Sequence, residues 1–397
     1  MKPSKRKRIV FGIDEGLPAR VAASILRNQD FDLLVVHLRC DLAALGEDPE
    51  TYPAAMRPSD LPAIEKFCES LGVPLKVIDV TEEVLAKVYS PFWIATLSGA
   101  RFDGAGAFAR DILFPHLQAI ADARQADAIA TGHFAKVTPE IYRYPEESLD
   151  QSRILARLAP TQLSRTIFPV GDVALEMLLR LASEIGAAPK EEGPFVFAKA
   201  ERALVGSREK RGRWEWTDAQ LADPRVQARA AGDYFKPGAI GGAVEFAVGE
   251  HRGIPFFQVG SPDPQHAGHY VAEVQPQARQ LLVATEGDLA VDTLFVHRLV
   301  WHERASGGRH RSRRLLVEKE SPNSRTARLG PARVPATLFE YPDRFGELRL
   351  DSPLYAVAPG ETLVFFEESR VLGSAIVVAS ERRGKGEMPI ENPAPPA

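Results

Sequence analysis

Cysteine is nearly missing from this chain: only Cys40 and Cys68 carry thiols among 397 residues. That excludes a disulfide framework, and the lack of any CxxC pair excludes a zinc ribbon or a dithiol redox centre. Long apolar runs are missing as well. No uncharged stretch approaches the roughly 18 residues of a membrane span, so no membrane partner is expected. The 9 histidines fall in no H-x-x-x-H or H-E-x-x-H spacing, so no metal site is expected. Positive charge is not in excess either. Lys+Arg 49 against Asp+Glu 53 leaves a formal net charge of −4, so any nucleic-acid surface must be local. The basic start, Met1 to Arg8, runs into a strand-like Ile9-Val10-Phe11 rather than a long apolar core. A solvated terminus, no secretion signal and a reducing, cytoplasmic compartment are expected.

What is present is ordinary globular composition, 45% hydrophobic and 26% charged, over a length that predicts two or three domains. Arg8 to Phe11 reads as a buried strand, Gly12 to Pro18 as a loop and Ala19 to Arg27 as a helix. Alternation continues through strands at Asp32 to Leu38 and Leu75 to Val80, helices at Leu61 to Leu71 and Glu82 to Tyr89, a Gly-rich loop around Gly99 to Gly106, and a strand over Ala126 to His133. Such alternation predicts an α/β domain with a parallel sheet, in residues 1–160. Its ligand crevice belongs at the carboxyl ends of the strands, near Gly12 to Pro18, His37 to Asp41 and Thr131 to Phe134. Residues 161–235 read as a helical, charged central domain or connector. Short alternating runs over 236–385 predict one or two small β-barrels, and the Pro-rich tail 386–397 is expected to be disordered.

Ala130-Thr131-Gly132-His133-Phe134 follows a buried strand. Leu149-Asp150-Gln151-Ser152, Leu158-Ala159-Pro160-Thr161-Gln162-Leu163, Phe168-Pro169-Val170-Gly171, Gly249-Glu250-His251-Arg252-Gly253, Val300-Trp301 and Val357-Ala358-Pro359-Gly360-Glu361 come after it in that order. In order and spacing the chain resembles the tRNA-specific 2-thiouridylases, with their ATGHY, KDQSYFL, L-T-x-x-Q-L, F-P-L-G, GEHxG, HW and V-x-P-GQ signatures. The resemblance implies an ATP-pyrophosphatase domain (the adenine nucleotide alpha hydrolase, or HUP, fold), a small central domain and a C-terminal β-barrel domain. It implies tRNA as partner, ATP and magnesium as cofactors, a sulfur-relay donor, and two cysteines that carry persulfide sulfur to an adenylated uridine.

The residues that such chemistry needs are replaced. The family's phosphate loop is SGGxDS[ST], whose backbone N–H groups cradle pyrophosphate. Asp14-Glu15-Gly16-Leu17-Pro18-Ala19-Arg20 stands there, and like charges about 4 Å apart cost about 1 to 4 kcal/mol where phosphates should sit. A register on Gly12 and Asp14 keeps a Gly-x-Asp but still lacks the serines. Phe108 falls at the first cysteine position and Phe195 near the second, and a phenyl ring carries no persulfide. Cys40, beside the crevice, is a candidate relocated nucleophile. Cys68 reads as structural.

The remaining candidates are a degenerate nucleotide pocket of Gly12, Asp14, Glu15, Gly16, Arg20, Thr131, Gly132 and His133, and RNA contacts at Asp150, Gln151, Ser152, His251, Arg252, Arg325 and Arg328. Arg309, His310, Arg311, Arg313 and Arg314 add local positive charge. A polar turn at Asp150 to Ser152 and a solvated hairpin at the arginines are the alternative readings. The expected function is a tRNA-binding protein without ATP-dependent thiolation. The rival is an enzyme whose rebuilt crevice, with Asp14, Glu15, Asp41, Asp103 and His133, runs a different reaction on RNA or a nucleotide, with carboxylates as acid and base or around a metal. A third reading keeps 2-sulfurtransferase activity at an atypical site.

Overall fold

A computed structural model describes residues 6–41, 61–137, 140–147, 149–186, 238–242, 247–251, 253–263, 265–302, 312–319 and 329–381. The first part of the chain runs β1 (Arg8–Ile13), α1 (Leu17–Asn28), β2 (Asp32–Arg39), α2 (Leu61–Leu71), β3 (Leu75–Asp79), α3 (Thr81–Val84), α4 (Ser90–Leu97), α5 (Gly104–Phe108) and α6 (Phe114–Arg124). It continues through β4 (Ala128–Thr131), β5 (Ala135–Val137), β6 (Ile141–Arg143), α7 (Ser152–Leu155), α8 (Pro160–Leu163), β7 (Thr166–Ile167) and α9 (Leu175–Glu184). Strands β3-β2-β1-β4-β7 form one parallel sheet in that order.

Burial on both faces explains the near-continuous apolar reading of β1, in which Ile9, Val10 and Phe11 are all buried. Ile9 and Phe11 pack with Val21, Ala22, Leu26, Ile64 and Phe67 of α1 and α2, while Val10 packs with Phe114 and Leu117 of α6. Pro18 and Pro115 sit in the first turns of α1 and α6, where a missing N–H costs nothing.

Two expectations are corrected here. The α/β domain does not end at 160: β7 is the fifth strand of its sheet, and α9 packs on α1 through Leu178 and Ala182. The Gly-rich stretch at Gly99 to Gly106 is not all loop, because the Asp103 carboxylate accepts from the Gly106 N–H at 2.8 Å and starts α5 at Gly104. One π-helical turn, Ala109–Leu113, joins α5 to α6, and another, Leu85–Tyr89, joins α3 to α4. The expected tail 386–397 and most of the expected connector lie outside the described residues.

The C-terminal texture resolves into two sheets. Strands β8 (Gly238–Gly242), β9 (Ala247–His251), β10 (His269–Gln275) and β11 (Gln280–Thr285) pair in the order β10-β11-β8-β9. Phe256, Phe257, Val271 and Leu281 of this unit bury Tyr89, Phe92 and Trp93 of the α/β domain. Strands β12 (Ala290–Trp301), β13 (Ser312–Lys319), β14 (Arg333–Tyr341), β15 (Phe345–Tyr355), β16 (Thr362–Glu367) and β17 (Arg370–Glu381) form an antiparallel barrel, closed by the pairing of β12 with β17. The β5–β6 hairpin of the first domain extends this sheet beside β17.

The domains are stitched together by arginines that converge on buried carboxylates. Glu318 of β13, with a side chain 5% exposed, accepts from Arg143 of β6, from Arg153 after the Asp150 turn at 2.7 Å, and from both Nε and Nη2 of Arg333 at 2.9 and 2.7 Å. Arg143 and Arg333 also lie over the Phe366 ring, at 4.5 and 5.2 Å. Glu361 and Arg101 form a second buried pair, 3.5 Å apart, and the Arg101 N–H donates to the Pro359 carbonyl. Removing one member of a buried ion cluster strands the rest. Glu318→Ala is expected to lower unfolding stability by roughly 3 to 5 kcal/mol, measured by denaturant titration, whereas Arg314→Ala, which breaks an exposed pair with Asp351, is expected to change it by at most about 1 kcal/mol.

Candidate functional site

Strand order reverses between β1 and β4, so the loops after these strands open a crevice at the carboxyl edge of the sheet. The two loops touch. A Cβ on Gly132 would lie 2.5 Å from the Ala19 Cα and 2.6 Å from its nitrogen, so only glycine lets the β4 loop rest on the start of α1. Here a phosphate would look for free N–H donors, and the chain fills the place itself. The Asp14 carboxylate accepts from the Gly16 N–H at 2.8 Å, Gly16 caps α1 with no side-chain bond, and Pro18 offers no N–H. Asp14 reaches the surface, yet crowding by surrounding protein raises its carboxyl above the ordinary range, against the Gly16 hydrogen bond and nearby His37.

Arg20 does not turn toward that place. Its guanidinium lies over the Phe67 ring at 5.6 Å, on the α2 side. His37, buried at the end of β2, puts Nδ1 3.0 Å from the Ile13 carbonyl. His133 pairs Nδ1 with the Thr131 hydroxyl at 2.8 Å and packs its ring near Phe114 and Phe168, and desolvation pushes its pKa down to about 4. The crevice therefore holds a neutral imidazole and two carboxylic residues, with its loop donor already engaged. ATP with magnesium does not fit this lining: an added polyphosphate meets Asp14 and Glu15 instead of a cradle.

Phe108 ends α5, half-buried against Val80, Val88 and Ile112. Neither thiol can replace what it lacks. Burial pushes the Cys40 thiol up to about 12 despite a hydrogen bond with Thr81, and Cys40 packs beside Tyr89, Phe92 and Phe102. Burial likewise pushes Cys68 up to about 11. Cys40, the candidate relocated nucleophile, thus sits in an apolar cluster that favours the protonated thiol.

The three polar residues expected at the RNA, Asp150 to Ser152, carry hydrogen bonds within the fold. Asp150 accepts from the Tyr144 N–H at 2.9 Å, the Ser152 N–H at 3.1 Å and the Ser152 hydroxyl at 2.8 Å. Gln151 exchanges two hydrogen bonds with the Phe134 backbone, both at 2.8 Å, and so locks the β4 loop to this turn. Ser152 is fully buried. His251 is also spent, with Nε2 donating to the Arg279 carbonyl at 2.9 Å and Nδ1 accepting from Gly253 at 3.0 Å. Arg313 lies over Trp301 at 5.1 Å. Phe195, Arg252, Arg309, His310, Arg311, Arg325 and Arg328 lie outside the described residues. Among the described residues no three His, Cys, Asp or Glu side chains gather as a metal would require.

Sequence reasoning missed Arg153 as a partner of Glu318, and it missed Arg157. The latter is a basic residue between Ala156 and Leu158, both fully buried, and is itself 4% exposed. An arginine inside an apolar run was the available signal.

A parallel α/β domain with its crevice at the strand-order reversal, followed by a closed antiparallel barrel, defines a class of two-part, nucleotide-fold proteins. Residues 7–193 match the model of the tRNA methyl transferase HUP domain and residues 291–377 that of the aminomethyltransferase beta-barrel domain, together more than half of the chain. The tRNA-specific 2-thiouridylase MnmA of Syntrophotalea carbinolica is 28% identical over 93% of this chain and 98% of its own. That of Kocuria rhizophila is 28% identical over 94% and 97%. The chain belongs to the tRNA-specific 2-thiouridylase family.

Two measurements check the site. Iodoacetamide labelling of the native protein is expected to be negligible at pH 8 and to rise only as pH approaches the Cys68 and Cys40 values of about 11 and about 12, with both thiols reacting readily in denaturant. His133 and His302 are each held near pKa 4 in the fold, below the unfolded value of about 6.5. The unfolded chain therefore binds more protons between those values, and stability is expected to fall as pH drops from about 6.5 toward 4. The loss is expected to be smaller in His133→Gln.

Proposed function

We propose that this chain binds tRNA without thiolating it. The observation that carries the reading is the Asp14 carboxylate seated on the Gly16 N–H, where a nucleotide phosphate would have to accept. Phe108 at the expected nucleophile position and two protonated, packed thiols support the same conclusion. The relatives' names give tRNA as their substrate, and the shared barrel and α/β domain make tRNA the polymer to test. No sulfur donor has a thiolate to hand its sulfur to, so no sulfur-relay partner belongs to this reading.

A second reading, a crevice with different chemistry on RNA or a nucleotide, has one observation in its favour. Desolvation raises the Asp14 carboxyl and lowers His133, the kind of adjustment acid and base groups need. The experiment is filter binding of bulk tRNA across a salt series, with and without ATP and magnesium, alongside analysis of the tRNA for new 2-thiouridine. Binding that weakens steeply between about 50 and 200 mM salt, unchanged by ATP and with no thiouridine formed, is the expected result. Pyrophosphate release or thiouridine would overturn the reading, and any other change in the recovered RNA would favour the second one.

A further inference from the structure

Arg157 carries a positive charge where none should survive alone. Its side chain is buried, and both Nε and Nη1 lack a hydrogen-bond partner, the only arginine among the described residues with two such nitrogens. A buried, unpaired guanidinium costs far more than a surface one, and such an orphan calls for a missing anion. The backbone around it is fixed at the seam between the two domains. The Ala156 carbonyl accepts from the Ser374 hydroxyl of β17 at 2.7 Å, and the Leu158 carbonyl pairs with His302 Nε2 at 3.2 Å.

Other charges surround the same point. Arg110, on the π turn that follows Phe108, and Arg298 both repel Arg157, while Asp103 and Asp111 attract it. Neither acid neutralises it fully. Asp111 is engaged side-on by Arg110, which donates from both Nε and Nη2. Asp103 caps α5, and burial raises its pKa. Arg153, also close to Asp103, is already bonded to Glu318. Arg298 is exposed and sits at φ 54, inside a bulge where the β12–β17 register jumps between His297 and Val300. Bulges of this kind re-aim a side chain next to a site.

We propose that Arg157 and Arg298, with the Arg110–Asp111 pair beside them, form an oxyanion site at the domain seam, and that its ligand is a phosphoryl group. Planar guanidinium forks match phosphate oxygens, and a phosphate arriving from the Arg298 side would satisfy the donors that the fold leaves empty. The site lies beside Phe108, two residues before Arg110. Only the carrier of the phosphate rests on the tRNA-binding reading; a site for inorganic phosphate stands without it.

The test uses the full chain, its Arg157→Met and Arg157→Lys variants, and inorganic phosphate exchanged for chloride at constant ionic strength. Thermal melting of the wild type is expected to shift upward as phosphate rises, following ligand linkage. Arg157→Met is expected to melt no lower than the wild type in chloride and to lose the shift, while Arg157→Lys, which keeps the charge but not the fork, is expected to retain part of it. Equal shifts in all three proteins, no shift in the wild type, or an Arg157→Met chain that fails to fold while Arg157→Lys matches the wild type would each overturn the site. Filter binding then identifies the carrier. A salt slope for tRNA shallower by about one in Arg157→Met assigns an RNA phosphate, and an unchanged slope with loss of the phosphate shift assigns a free phosphorylated compound. If the wild type binds phosphate but no tRNA, the proposed function fails and the site remains.

Discussion

The carboxylate of Glu318 holds the α/β domain and the barrel in one arrangement. Arginines from both domains converge on it, and the carboxylate itself is almost wholly shielded from water. Either sign alone would be costly to bury; together they satisfy one another. The β5–β6 hairpin beside β17 and the mixed core of Val10, Phe114, Val364 and Phe366 follow from that union. So does the seam in which Arg157 finds itself.

Against this fixed frame, the loops that line the crevice are set by local means. Asp14 folds its carboxylate onto the Gly16 N–H, and Gln151 pins the opposite loop through Phe134. Neither change disturbs the sheet, because the strands beneath are held by apolar packing on both faces. The scaffold that defines the family thus persists while the groups that face a nucleotide differ.

The fold class was legible because long-range architecture leaves a local trace: continuous apolar runs for buried parallel strands, alternating runs for the barrel. Where the trace was short, the reading slipped. Strand β7 is only Thr166–Ile167, too brief for any period, so the first domain seemed to stop early. Gly104 to Gly106 read as loop because a cap at Asp103 outweighs three small residues. The site was less legible still. Arg143 and Arg153 reach Glu318 across 175 and 165 residues of sequence, and no spacing rule connects them. At Asp150, Gln151 and Ser152 the letters alone leave two readings open, because polar loop residues that serve the backbone are the same as those that serve a substrate.

The junction between β6 and β17 also sets an order of assembly. Arg370 bonds Glu140 across 230 residues, so the hairpin's outer edge stays unpaired until nearly the whole chain has left the ribosome. At about 5 to 20 residues per second that wait is roughly 10 to 50 s, while the parallel sheet behind it can already form. A truncated chain ending within the barrel would leave that edge, and the arginines beside it, open to other strands. Pairing with β17 is what covers that edge in the folded chain.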